Sequence, residues 1–157
     1  VGSSVSACYV SRGCGEHGKG VQAMGGAKNH GIILPDAERE QAVQDITGAD
    51  YGSAGERCMA LSTVVAVGNE TGDRFVDAMT KELDKLKVGI STDPNADYGP
   101  VVSSVHKEKI ENYIQMGVDE GADLIVDGRN FSLQGSEKGF FVGPALFEKV
   151  TTTMQSY

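Results

Sequence analysis

Gly31-Ile-Ile-Leu34, a helix opening at Pro35-Asp36, the bend Gly52-Ser-Ala-Gly-Glu-Arg-Cys-Met-Ala60 and the β-branched run Ser62-Thr-Val-Val-Ala-Val67 follow one another in that order. An apolar triplet bounded by turn residues reads as a short buried strand, and a β-branched run reads as another. Between them, Asp36 is a natural N-cap with acid in the first turn. Ala42, Val43 and Ile46 form one apolar stripe, and Gly48 is a reasonable stop. Strand, helix and strand in alternation predict an α/β fold with a mostly parallel sheet flanked by helices.

The rest of the chain extends the pattern. Before the strand, one helix is expected through Val5–Arg12. After it, Asn69 or Thr71 should cap a helix from about 72 to 87, with Phe75, Val76, Met79, Leu83 and Leu86 on one face. Lys81, Glu82, Asp84, Lys85 and Lys87 fall largely outside that face, as a solvated surface does. Gly89–Pro100 is a long loop dense in turn formers. Ser103 or Ser104 starts a helix through Glu120, with Ile110, Tyr113, Ile114 and Val118 facing in, and Gly121 ends it. Ala122–Asp127 reads as a strand. Phe140–Val142 and Ala145–Phe147 read as two more strand pieces split by Gly143-Pro144.

Composition narrows the function. At 157 residues the chain suffices for one compact domain, and its net charge of −8 argues against a nucleic-acid partner. No apolar run is long enough to cross a bilayer. Cys8, Cys14 and Cys58 make an odd, sparse set, which argues against a disulfide framework and for a reducing compartment. Cys8 and Cys14 are too far apart for a zinc knuckle, and His17 does not complete one. The segment around Gly25-Gly26 lacks the spacing and ending of a Walker A loop.

Cys58 is the chemical candidate. A thiol on a glycine-rich connection between regular elements can find backbone amides that favour a thiolate and form an oxyanion hole. Arg57 adds a fixed positive charge. The same spacing also suits a small buried hydrophobe. Gly2-Ser3-Ser4 can present amides and a hydroxyl to an anion such as a pyrophosphate, or simply cap a helix through Ser3 or Ser4. Gly25-Gly26 lets backbone approach a cofactor closely. A Cys58 pairing with His30 or His106 would instead make a cysteine hydrolase, although His30 alone reads more simply as structural.

Read together, Val1-Gly-Ser-Ser4, Val21-Gln-Ala-Met-Gly-Gly-Ala-Lys-Asn-His30, Pro35-Asp-Ala37, Tyr51–Ala60, Asp97-Tyr-Gly-Pro100, Asp127-Gly-Arg129 and Phe141-Val-Gly-Pro144 resemble the aldehyde dehydrogenase superfamily. Within it they resemble the CoA-acylating branch that acts on methylmalonate and malonate semialdehydes. The resemblance implies that Cys58 attacks the aldehyde, that NAD takes the hydride, and that a cysteine thioester results. It places Gly2, Ser3 and Gly25 at the cofactor and makes Glu56, Lys28 and Asn29 structural.

Met24 stands where hydrolytic members carry a glutamate that activates water. A thioether cannot take that proton, so the acyl group is expected to pass to CoA, a thiol that needs less activation. Arg57 is expected to hold the substrate carboxylate.

The resemblance also implies that residues 1–20 end an NAD-binding domain and that 21–157 begin the catalytic domain. The family's phosphate-gripping lysine, oxyanion-hole asparagine and ribose-binding acid fall outside this sequence. The piece alone is therefore expected to bind NAD weakly, to turn over little and to self-associate. The full-length protein is expected to be a homo-oligomer, dimer or tetramer, in the bacterial cytoplasm or the mitochondrial matrix. Rival expectations are a hydrolytic aldehyde dehydrogenase and a non-catalytic assembly module.

Overall fold

The computed structural model describes residues 1–157. Four helices, α1 (Ser4–Glu16), α2 (Arg39–Tyr51), α3 (Asn69–Leu83) and α4 (Ser104–Asp119), accompany four short strands, β1 (Asn29–Ile33), β2 (Leu61–Ala66), β3 (Asp123–Val126) and β4 (Leu146–Glu148). β1 and β2 pair in parallel across α2, as the alternating pattern requires. β3 and β4 form a separate antiparallel ribbon.

The main core lies where α2 and α3 meet one face of the parallel pair. Ile33, Val43, Ile46, Phe75, Met79 and Leu83 are buried together, with Tyr51, Leu61, Val64 and Leu86 packed around them. Each such side chain contributes roughly 1.5–3 kcal/mol on leaving water. The opposite face of the pair is open. Ile32 is 69% exposed and Val65, its neighbour across the ladder, 46%. The expectation of a fully buried β1 is therefore corrected, since only Ile33 lies inside.

Local chemistry moved several boundaries. Glu38, not Asp36, caps α2 by accepting from the amides of Glu40 and Gln41. α2 runs through Gly48 to Tyr51, because Tyr51 beyond the glycine packs against the core and its hydroxyl donates to Ala145 O (2.8 Å). α3 starts at Asn69 behind Gly68, whose φ of 91° suits glycine, and neither Asn69 nor Thr71 is its cap. α3 ends near Leu83, so Leu86 packs from a turn rather than from the helix. α1 is longer than expected and buries no residue.

In α4, Ser103 caps as expected, but Tyr113 and Val118 are exposed and the inward face is Ile114 and Gly117. A Cβ on Gly117 would stand 2.9 Å from the Phe147 ring, so the glycine is what brings α4 against β4. Phe141 and Val142 are buried without forming a strand. There Gly143 N–H donates to Gly128 O (2.9 Å), and a Cβ on Gly128 would overlap the Gly143 carbonyl.

Candidate active site

Between the end of α2 and the start of β2 the chain makes a left-handed turn. Ser53 (φ 56°), Ala54 (φ 54°) and Gly55 (φ 74°) all have positive φ. Only the glycine adopts this freely, and a left-handed residue with a side chain costs about 1–2 kcal/mol. A tight turn follows, with Ala60 N–H donating to Arg57 O (3.1 Å), and Cys58 stands at its tip. The thiol is free and exposed, which removes the buried-hydrophobe reading. The Cys58 N–H makes no bond within the chain, so it is free to donate to an oxyanion.

Cys58 lines a cleft of about 350 Å³ together with Gly2, Gly25, Gly26, Asn29, Glu56 and Arg57. The catalytic, substrate and cofactor candidates Cys58, Arg57, Gly2 and Gly25 thus meet in one place. Ser3, the remaining cofactor candidate, does not line the cleft. Its Oγ accepts from Ser6 N–H (3.2 Å) and pairs with Ser6 Oγ (2.9 Å), so the hydroxyl is spent on capping α1. The other first-turn amides of α1 have no partner inside the helix. Gly25 is close-packed against α1, where a Cβ would stand 3.0 Å from Ser4 Oγ. Gly26 N–H donates to that oxygen (3.1 Å) and Gly2 N–H to Met24 O (3.1 Å), which ties α1 to the cleft wall.

The Arg57 side chain is exposed and lies back across Gly52. It donates from Nη1 to Gly48 O and from Nε to Ser53 Oγ, both at 3.4 Å. A cation there complements the C-terminal end of α2, and a Cβ on Gly52 would stand 2.6 Å from the guanidinium. Met24 is half-exposed and its thioether is not part of the cleft wall. Glu56 supplies the cleft's one carboxylate.

Both histidines considered as partners of the thiol make their bonds elsewhere. His30 meets Lys28 O (2.9 Å) and Tyr157 Oη (2.5 Å), and His106 meets Ser103 Oγ (3.0 Å). The cysteine–histidine pairing of a hydrolase is not formed. Lys28 lies over the Tyr157 ring at 5.6 Å, and burial holds its ammonium below the usual lysine range.

Two features have no signature in residue type alone. Asn29 Nδ2 donates to Cys58 O (3.1 Å) and Ala60 O (2.9 Å), bracketing the turn from outside. Asp50, one residue before the end of α2, keeps a buried Oδ1 without a partner, and desolvation pushes its carboxyl up to about 7.

The model of the aldehyde dehydrogenase family matches residues 1–157. A Drosophila pseudoobscura protein named "Probable methylmalonate-semialdehyde/malonate-semialdehyde dehydrogenase (acylating), mitochondrial" is 45% identical over the whole chain, which covers 30% of it. The crystal structure of methylmalonate-semialdehyde dehydrogenase from Oceanimonas doudoroffii superposes with a TM-score of 0.96 at 49% identity, over 99% of this chain and 32% of that one. A Mycobacterium tuberculosis aldehyde dehydrogenase complexed with NAD+ superposes at 0.89 and 31% identity, over 98% of this chain and 31% of that one. The chain spans about a third of the length of the relatives it matches.

Proposed function

Given that the chain belongs to the aldehyde dehydrogenase family, we propose that it is the catalytic-cysteine part of an NAD-dependent, CoA-acylating dehydrogenase of malonate and methylmalonate semialdehydes. The observation that carries this reading is the exposed Cys58 thiol at a turn tip, in a cleft with an unspent amide and a neighbouring guanidinium.

The thiolate adds to the aldehyde carbon, and the Cys58 N–H stabilises the alkoxide. Loss of hydride from that carbon leaves a thioester on Cys58. CoA thiolate displaces the cysteine, and the substrate carboxylate departs as CO2 while the carbon it leaves takes up a proton from solvent, giving acetyl-CoA or propionyl-CoA. Arg57 holds the carboxylate while the carbonyl reacts. Its present bonds at 3.4 Å are weak enough to be exchanged for a bidentate pair.

NAD, when bound, supplies the hydride acceptor. The open first-turn amides of α1 suit its diphosphate, while Gly2 and Gly25, whose own positions carry no side chain, allow the cofactor a close backbone approach. Ser3 contributes by holding that helix end in place. Residues 1–20 thus serve the cofactor side and 21–157 the chemistry. The full-length protein works as a homo-oligomer, a dimer or tetramer, in the bacterial cytoplasm or, as the name of the fly relative suggests, in mitochondria. No helix is long and apolar enough to cross a membrane.

One observation favours a hydrolytic reading, namely Glu56 in the cleft. The deciding experiment incubates the full-length protein with NAD and malonate semialdehyde, with and without CoA. Acyl-CoA forming at a rate that depends on CoA is expected. Free acid forming equally fast without CoA, and lost in Glu56→Gln, overturns the acyl-transfer reading.

A further inference from the structure

We propose that Asn29 is a positioning residue for the thiol, acting through the main chain of Cys58. The inference rests on the reading of Cys58 as nucleophile. The Asn29 carboxamide faces two carbonyl oxygens, at 3.1 Å and 2.9 Å. Two acceptors can be met only by an NH2 group, so chemistry fixes the orientation of the amide.

Asn29 stands where the β1–β2 ladder breaks. It pairs with Leu61, whereas His30 pairs with Thr63, so Ser62 is skipped. Regular strand bonds therefore do not reach the Cys58 turn, and the carboxamide supplies the missing link. Upstream, the turn adjoins two non-glycine residues held at positive φ. That conformation persists only where its surroundings determine it. The outlying residues Glu56, Arg57, Cys58 and Met59 are exposed and add no packing of their own. A two-pronged tether to β1 is what holds the Cys58 amide and sulfur in one place relative to the cleft floor.

The test uses the full-length protein with the isosteric Asn29→Asp and the truncating Asn29→Ala. Aspartate fills the same volume but turns two donors into acceptors facing carbonyls; alanine removes them. Expected is a roughly ten- to hundredfold slower single-turnover hydride transfer, with the KM for the aldehyde within about twofold and the melting profile still cooperative. A folded variant of either kind with wild-type hydride transfer overturns the inference. So does a parallel fall in kcat and rise in KM, which a merely structural role would give.

Cys58→Ser, measured alongside, separates the two readings. An active serine variant defeats the nucleophile and this inference with it. An inactive serine variant beside wild-type Asn29 variants defeats this inference alone. Should neither Asn29 variant fold, a crystal structure of the full-length protein decides. Nδ2 within 3.5 Å of both carbonyls supports the tether, and a larger separation from either overturns it.

Discussion

Two glycine-rich loops in this chain are made of similar residues and held in opposite ways. Gly89–Pro100 closes on itself. Gly89 N–H donates to Tyr98 O (3.0 Å), Asp97 N–H to Lys87 O (2.8 Å) and Lys87 N–H to Asp97 Oδ2 (2.7 Å). Tyr98 plugs the loop, buried, with its hydroxyl donating to Val142 O (3.1 Å). Gly52–Ala60 is instead strained, exposed and fastened from another strand. A high density of turn formers marks a bend in both. What separates a bend that holds the fold from one that meets a ligand is where its polar groups find partners.

The contrast breaks most plainly with one substitution in each loop. In the full-length protein Cys58→Ala should lower turnover on the order of a thousandfold or more, with thermal stability unchanged because the side chain is exposed. Tyr98→Ala should cost about 3–5 kcal/mol of stability by chemical denaturation, while the folded fraction still alkylates at Cys58 at the wild-type rate. A Tyr98 variant that slows the thiol without loss of stability would erase the distinction.

Arg57→Ala sharpens it next. The KM for malonate semialdehyde should rise roughly tenfold or more while that for propanal stays put, and equal changes on both would remove Arg57 from the site.

Asp50, at the entrance to the open loop, gives a pH signature. Its carboxyl is neutral in the fold up to about 7 but ionises near 3.8 when free. The stability it gives is complete below the lower value and is lost as pH rises through the upper one. Between about pH 4 and 7 the thermal midpoint of the wild type should therefore drop relative to that of Asp50→Asn as pH rises. Parallel pH curves would show that the carboxyl is solvated. The smallest effect is at Ala54, where glycine should gain up to about 1 kcal/mol by relieving the positive φ.

Periodicity made the core legible. Val43 and Ile46 on α2, and Phe75, Met79 and Leu83 on α3, are the buried stripes their spacing predicts. It failed where burial and pairing part company. Phe141 and Val142 are buried because Gly128 lets another segment of backbone lie against theirs, without a ladder. Tyr113 and Val118 fit a helical stripe, yet α4 meets β4 through Gly117, a residue with no apolar weight in any pattern. In the site, Gly2, Gly25, Arg57 and Cys58 were legible because motif spacing carries them. The tether from Asn29 was not, because a side chain reaching a carbonyl 29 residues away leaves no local trace. Nor was the handedness of Ser53 and Ala54, which two flanking glycines permit but do not specify.

The crossing of Gly128 and Gly143 limits how this sequence can drift. Neither position has room for even a methyl group unless the other's backbone retreats, so no single substitution at Gly128 can be accommodated stepwise. A lineage could change that crossing only by rebuilding both segments at once, and so this stretch should be slower to vary than its loop-like appearance suggests.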